Sequence, residues 1–313
     1  MLSFIVRRLL SGAVLLFVIT TVAYALLYVG GGDIARRILG QNATQEAVAA
    51  KAAELGLDRP LWEQYGGWLS QAVTGDLGRS WFSGQLVSVG VSSRLAVTLS
   101  IVIGAVLIAA VIAVVLGVLA AVRGGVVDRI VQFISVLGFA IPGFLIALGL
   151  VLVFAINLRL FKATGYVPIT TDVGGWIASV TLPVIALAIG AIASVTQQVR
   201  GSVVDALSRD YVRTLRSRGL GSGRVVYKHV LRNAGGPALA ILAVQFVGLL
   251  GGAVIVEQIF ALPGLGQLAV QSTTNGDIPI VMGLVLATAF IVVIVNLLID
   301  LAQAALNPKV RLS

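Results

Sequence analysis

The chain has 313 residues, of which 58% are hydrophobic and only 11% charged, against about 25% charged in soluble domains. The apolar residues gather into long runs separated by charged or Gly/Pro-rich gaps, which marks a polytopic membrane protein and excludes a large soluble core. There is no cysteine and a single histidine, His229, so disulfides, thiolate nucleophiles and Cys- or His-rich metal centres are excluded.

Taken in chain order, Arg7 and Arg8 precede an apolar stretch from Leu9 to Val29. It is longer than the roughly 7–15 residues of a secretory signal core and long enough to cross about 30 Å of hydrocarbon as a helix. It reads as an uncleaved first span. From Gly30 to about Arg94 the pattern breaks. Asn42 is placed to cap a helix over Thr44–Leu55, with Gln45 at the capping-box position and Gly56 as its stop. Pro60 opens a second short helix, Leu61–Ala72, whose Trp62, Tyr65 and Trp68 are spaced to share a face. These aromatics suit an extramembrane subdomain packed on its own rings or resting at the interface; a docking surface is the alternative.

Five further spans follow: Leu95–Val122, Ile130–Ile156, Trp176–Gln197, Pro237–Ile259 and Pro279–Ala304. Pro142 and Pro183 fall inside spans and predict kinks. Small residues permit close helix packing, and Gly248-x-x-x-Gly252 fits that use. With the N-terminus inside, the inner segments collect Arg7, Arg8, Arg123, Arg129, Arg200, Arg209, Arg213, Arg216, Arg218, Arg224, Lys228, Arg232, Lys309 and Arg311, against only Asp128, Asp205, Asp210 and, at a helix end, Asp300. The outer segments nearly balance. The positive-inside rule places both termini in the cytoplasm, so the net charge of +9 orients the chain and gives no support for nucleic-acid binding.

The inner loop Arg200–Asn233 is the most informative stretch. It reads as a helix from Asp210, a turn at Gly219, where the left-handed region is expected, and a short helix of about two turns from Arg224 to Leu231. A basic loop that binds anionic headgroups is the alternative reading of the spacing. Near the outer end of the fifth span stands Glu257, an ionisable residue and so a candidate for the substrate pathway. Beyond it, Pro263-Gly264-x-Gly266 signals a turn, and Leu265, Leu268 and Ala269 repeat at helical spacing until Asn275-Gly276. A short outer helix is expected, with Leu265, Gln267 and Leu268 as candidate docking residues.

Several ordered motifs carry a resemblance: Arg7-Arg8-Leu9-Leu10; Glu54-Leu55-Gly56-Leu57-Asp58-Arg59-Pro60-Leu61; Gly75-Asp76-Leu77-Gly78-Arg79-Ser80; Asp210-Tyr211-Val212-Arg213-Thr214; Arg218-Gly219-Leu220; Arg232-Asn233-Ala234; the run Glu257 to Gly266; and Asn307-Pro308-Lys309-Val310-Arg311. Over nearly its whole length the chain resembles the B-type permease subunits of the dipeptide/oligopeptide/nickel ABC importer family. The resemblance implies an all-α polytopic membrane protein with six transmembrane helices. It implies the type I ABC importer permease fold, with an extracytoplasmic helical insertion between spans 1 and 2. The corresponding divisions are a first span (1–29), the extracytoplasmic subdomain (30–93), the transmembrane core (94–304, with the coupling loop at 200–233) and a cytoplasmic tail (305–313). It also implies that Tyr211, Arg213, Thr214, Leu215, Arg216, Arg218, Gly219, Leu220 and Arg224 belong to an ATPase-coupling loop. Leu215 stands where the subfamily commonly has a small residue.

The implied partners are a second, related permease subunit, two cytoplasmic ABC ATPase domains, an extracytoplasmic solute-binding protein and the bilayer of a bacterial inner membrane. ATP and Mg would be bound by the ATPases. Consistent with that division, a phosphate loop needs a Gly-Lys pair, and no lysine here follows a glycine. No enzymatic activity and no metal are expected of this chain. The expected function is ATP-driven import of di- and oligopeptides. Nickel or glutathione as cargo is a rival, although no His, Cys or Met cluster in the spans suits nickel. An ion-driven secondary transporter would favour inverted repeats and acidic residues at mid-span, and neither is evident.

Overall fold

The computed structural model describes residues 2–30 and 34–306. The motif Asn307–Arg311 lies outside them. The described residues are helical throughout apart from loops, with a single isolated β-bridge between Arg79 and Leu86. Five helices are long and apolar enough to cross a membrane: Val6–Val29, Val87–Arg123, Val173–Leu207, Ser222–Ile259 and Ile278–Ala305. The pair Gly125–Ala140 and Gly143–Asn157 makes a sixth if it is one span. In hydrocarbon every backbone N–H and C=O must be satisfied within the segment, and a helix does this locally.

Among the described residues the elements divide into two compact units, one of 97–263 with 295–306, the other of 2–96 with 264–294. In the second unit, α1 (Leu2–Gly30) leads to three short helices, α2 (Ile34–Leu39), α3 (Gln45–Glu54) and α4 (Leu61–Val73). The cap of α3 is Thr44, whose side chain accepts from Ala47 N at 3.3 Å; the expected Asn42 is two residues too early for that geometry. Gln45 takes no capping-box role, because its Oε1 accepts from Arg36 Nη2 at 2.8 Å. Gly56 ends the turn with φ +69°, as its position suggested.

Tyr65 anchors α4 to α1: its hydroxyl lies 3.0 Å from Thr20 Oγ1 and accepts from Thr21 Oγ1 at 2.9 Å. Its ring packs on Tyr24 at 5.4 Å and stacks on Trp68 at 6.0 Å. Trp62 does not join them and is 72% exposed. A helix turns about 100° per residue, so each step of three falls about 60° short of a full turn, and two steps carry Trp62 off the face that Trp68 shares.

The loop after α4 is tied to the end of α12 (Leu265–Asn275) and the start of α13 (Ile278–Leu306) by a buried carboxylate. Asp277 accepts from Ser80 Oγ at 2.5 Å and from Trp81 N at 3.1 Å. Arg37 donates to Thr274 O at 2.8 Å nearby.

The first unit is organised around α8 (Val173–Leu207), a continuous helix that contains Pro183. It is capped by Asp172, which accepts from Gly174 N and Gly175 N. Four glycines on three other helices receive its side chains. On α5 (Val87–Arg123), Gly104 faces Val184, and Gly117 faces Val199 and the backbone N of Arg200. On α6 (Gly125–Ala140), Gly138 faces Ala193; on α11 (Leu231–Ile259), Gly252 faces Leu187. Removing Cβ lets the axes approach and exchanges helix propensity for dispersion contact, the usual solution where lipid supplies no hydrophobic drive. Gly252 thus acts as the motif suggested, whereas a Cβ on Gly248 would meet nothing within 4 Å.

The expected kink at Pro142 is a break. Ile141 and Pro142 separate α6 from α7 (Gly143–Leu150), which continues through π-helical turns Val151–Asn157, and the axes bend by 91°. Proline removes a donor and forces the preceding residue out of the helical region; Ile141 is extended, with ψ 120°.

A Cβ at position 117 would sit 2.9 Å from Val199 Cβ and 3.0 Å from Arg200 N, and backbone cannot swing aside. Gly117→Ala is expected to destabilise the detergent-solubilised protein by about 1–3 kcal/mol, the usual cost of overpacking. Gly201→Ala on α8, with nothing within 4 Å, should leave the melting temperature unchanged or raised. Differential scanning fluorimetry compares the two.

Candidate coupling site and transport pathway

After α8 ends at Leu207, one turn of non-helical chain leads to α9 (Asp210–Ser217). Its eight residues divide cleanly. Val212 is fully buried, with Tyr211 and Leu215 half-buried, on a cluster formed by Val195, Val199 and Val203 of α8 and by Val225 and Val230. Asp210, Arg213, Thr214, Arg216 and Ser217 are exposed, as is Arg218 just past the helix. Spacings of three and four put 211, 212 and 215 on one face, so the basic side chains point away from the protein. The Arg213–Asp210 pair, at 3.9 Å and highly exposed, adds little, since such pairs give about 0–1 kcal/mol.

The helix ends as its glycine predicted. Gly219 has φ +81°, Gly219 N donates to Arg216 O at 2.9 Å, and Leu220 N donates to Leu215 O at 3.2 Å. The left-handed residue with its long back-bond satisfies carbonyls that would otherwise face the chain's exit. Leu220 packs on the same cluster as Val212.

The second half of the loop departs from expectation. No separate two-turn helix follows. Instead α10 (Ser222–Arg224), π-helical turns over Val225–Val230 and α11 form one continuous helix, Ser222–Ile259. Arg200, taken as the loop's first residue, lies inside α8. The free-standing part is therefore Ser208–Gly221, and the expected pair of short helices is one helix wedged between two spans. Val225, Val226 and Val230 are buried; that apolar spacing holds the segment against α8, which a reading centred on its charges missed. Arg224 is exposed.

Two features brace this region. Arg200 on α8 makes a bidentate ion pair with Asp128 at the start of α6, through Nε to Oδ1 and through Nη2 to Oδ2, and Gln132 Nε2 donates to Asp128 Oδ2 at 2.9 Å. Asn233 Nδ2 donates to the Tyr211 hydroxyl at 3.1 Å and to His229 O at 3.1 Å, linking α11 to α9. Beside them lies a polar cavity of about 480 Å³ lined by Gln198, Ser202, Asp205, Arg209, Tyr211 and Asn233. A second cavity, about 410 Å³ and mostly apolar, opens at the α6–α7 break, where Pro142, Gly143, Gly190, Gly248 and Leu249 surround Gln245.

Glu257 is not hydrated, as its place near a helix end suggested. It is fully buried and accepts from Thr98 Oγ1 at 2.5 Å. A buried carboxylate needs such partners to offset lost hydration. The expected outer helix is present as α12, stopped by Gly276 at φ +81°. Leu265, however, is buried, and Leu268 packs beside it against Val87, Val91, Ile280 and Leu284. These two leucines are the inward stripe of the helix; Gln267 is half-buried, and Val270, Gln271, Thr273 and Thr274 are exposed. No group of three or more His, Cys, Asp or Glu among the described residues is placed to hold a metal ion.

A polytopic bundle with an exposed basic helix seated between two spans has the form of a transport permease of the type I ABC importer class. The chain matches two family models, the binding-protein-dependent transport system inner membrane component over residues 113–312 and the N-terminal membrane component of the same systems over residues 1–102. It is 35% identical over 309 residues to a probable peptide ABC transporter permease of Sinorhizobium fredii, covering 98% of this chain and 99% of that one. It is equally 35% identical, over 312 residues and 99% of both chains, to the glutathione transport system permease GsiC of Escherichia coli. A solved structure of the MetNI methionine ABC transporter in inward-facing conformations matches with a TM-score of 0.57 at 17% identity, over 69% of this chain and 96% of that one, and shows the fold. The chain belongs to the family of binding-protein-dependent ABC permeases, multi-pass translocation subunits of the inner membrane.

The Asp128–Arg200 pair fixes α6 to α8 directly above the segment that ends in α9. Arg200→Ala and Asp128→Ala are each expected to lower the melting temperature, because each leaves a charged partner without its hydrogen bonds. The double variant should lose clearly less than the sum. Thermal melts of the four proteins close the cycle; full additivity would show that the pair is not coupled.

Proposed function

We propose that this chain is a pore-forming subunit of an ATP-driven importer of di- and oligopeptides, and that α9 is where force from ATP hydrolysis enters it. The observation that carries the reading is α9 itself: an exposed basic face on a helix whose opposite face is buried against both flanking spans. A push on that face moves α8 and α11 together, because Val212 and Leu220 share one apolar cluster with Val203, Val225 and Val230. The cargo is inferred from full-length similarity to permeases named for peptides and for glutathione. Glutathione is the second reading, favoured by that last similarity.

In this reading Tyr211, Leu215, Gly219 and Leu220 shape the contact, while Arg213, Thr214, Arg216, Arg218 and Arg224 face two ABC ATPase domains that hold ATP and Mg. A second permease subunit completes the pore, and a solute-binding protein delivers cargo at the outer face, where the exposed side of α12 around Gln267 and Gln271 would meet it. Both termini and α9 lie in the cytoplasm, and residues 34–86 lie outside, in keeping with the Lys/Arg asymmetry. The domain divisions at 30, 94 and 305 belong to the same proposal. The apolar cavity around Gln245 is a better candidate for the cargo pathway than Glu257, which we assign to positioning α11 through Thr98. ATP bound by the partners supplies the differential energy between outward-open and inward-open states.

The test is backbone geometry at Gly219. A Cβ there would meet nothing within 4 Å, so any effect of substitution comes from the left-handed φ and not from a clash. A β-branched residue is strained there by roughly 1–2 kcal/mol, whereas asparagine tolerates the region. Gly219→Val should insert normally but lose peptide uptake or ATPase co-purification, Gly219→Asn should retain most of both, and Arg216→Ala should be mild. Normal uptake and normal ATPase co-purification in the Gly219→Val complex would remove α9 from coupling.

A further inference from the structure

The unit formed by α1–α4 and α12 contains a cavity of about 290 Å³ that plays no part in the coupling just described. Its walls include Tyr24 at the end of α1, Arg59, Glu63 and Trp68 from the α4 region, and Arg79 and Trp81 from the following turn. Three features distinguish it from a gap between helices. Neither Arg59 nor Arg79 has an ion-pair partner among the described residues, and neither does Glu63. Arg79 Nη1 spends one donor on Gly84 O at 3.2 Å, which holds the guanidinium in place without neutralising it. Finally, Trp68 Nε1 is buried with no acceptor, although buried indole N–H groups usually find one.

The wall itself is fixed. Gln64 is committed on both ends: its Oε1 accepts from the Tyr24 hydroxyl at 3.4 Å, and its Nε2 donates to Arg59 O at 2.8 Å. Trp81 is held through its backbone N by Asp277. The charged groups therefore project from a braced frame, and ordering them around a ligand costs less than ordering a free loop.

We infer that this cavity is a binding site for a small zwitterion, its carboxylate or phosphate taken by Arg59 and Arg79 and its ammonium by Glu63. Guanidinium groups recognise planar oxyanions through paired N–H donors. The half-buried rings of Trp68 and Trp81 suit methylene groups or an ammonium lying over a ring. The volume is at the small end for ligand pockets, which limits the occupant to a short peptide with free termini or the phosphoethanolamine headgroup of a lipid. Both present an anion and a primary ammonium on one short chain. The site does not rest on the cargo assigned above, because the lipid source satisfies it equally.

The experiment uses the full complex purified with its partner subunits, without binding protein, in phosphatidylcholine nanodiscs. Radiolabelled trialanine is the probe and glycerophosphoethanolamine the competitor. Saturable binding of trialanine is expected, weakened at least tenfold by Arg59→Gln, and weakened by Glu63→Gln to the level of N-acetyl-trialanine. Competition by glycerophosphoethanolamine, with loss of trialanine binding in phosphatidylethanolamine nanodiscs, assigns the site to lipid; absence of both assigns it to peptide. Should Arg59→Gln fail to assemble, C-amidated trialanine on the unmodified complex probes the same contact and should bind at least tenfold more weakly. The inference is overturned if neither probe binds at about 10 mM, an affinity too weak for a built site, or if binding is indifferent to both substitutions.

Discussion

Close approach to α8 is the constraint on which the transmembrane unit depends. Four of its side chains, Val184, Leu187, Ala193 and Val199, lie over glycines of α5, α6 and α11. Lipid tails are as apolar as these side chains, so burial alone gives no reason for the helices to associate. What holds them is dispersion at short range, available only where no Cβ intervenes. The buried stretch of α8 includes the small residues Ala186, Ala188, Ala191 and Ala193. The bidentate pair of Arg200 with Asp128 adds a directional tie just before the helix leaves the bundle.

This packing explains how a short helix can act on a long bundle. α9 has only eight residues and would not be helical in isolation, since isolated helices shorter than about 12–15 residues are marginal in water. It is held by Val212 beneath it, by Leu220 past its end and by the Tyr211–Asn233 hydrogen bond. Each contact reaches α8 or the helix beginning at Ser222. The site of proposed force entry and the packing axis are therefore one structure, and a rigid interior transmits displacement where a fluid one would absorb it.

The spans were legible in the sequence because the bilayer imposes length and apolarity together. Gly56, Gly219 and Gly276 were legible as stops, since only glycine enters the left-handed region freely. Other features depend on tertiary contacts that no local pattern encodes. Nothing near Pro142 distinguishes a gentle kink from a 91° break. The apolar residues Val225, Val226 and Val230 continue the fifth span backwards, but the surrounding Arg224, Lys228 and His229 disguise them as loop. Their place in the outer loop suggests Leu265 and Leu268 as docking residues, but apolar residues at helical spacing ordinarily mark the inward face, and here they pack inward. Glu257 lies near a helix end, where water is the default expectation; its burial against Thr98 follows only from the arrangement of α5 and α11.

Coupling through α9 is tested most directly by a single cysteine on its exposed face, which the absence of native cysteine makes clean. Arg216→Cys in the assembled complex should be shielded from a membrane-impermeant maleimide in intact cells. After the inner membrane is opened, it should cross-link to an ATPase subunit with a short bifunctional reagent. Labelling from the outside in intact cells, or a fully assembled complex in which no ATPase cross-link forms in any nucleotide state, would contradict the assignment.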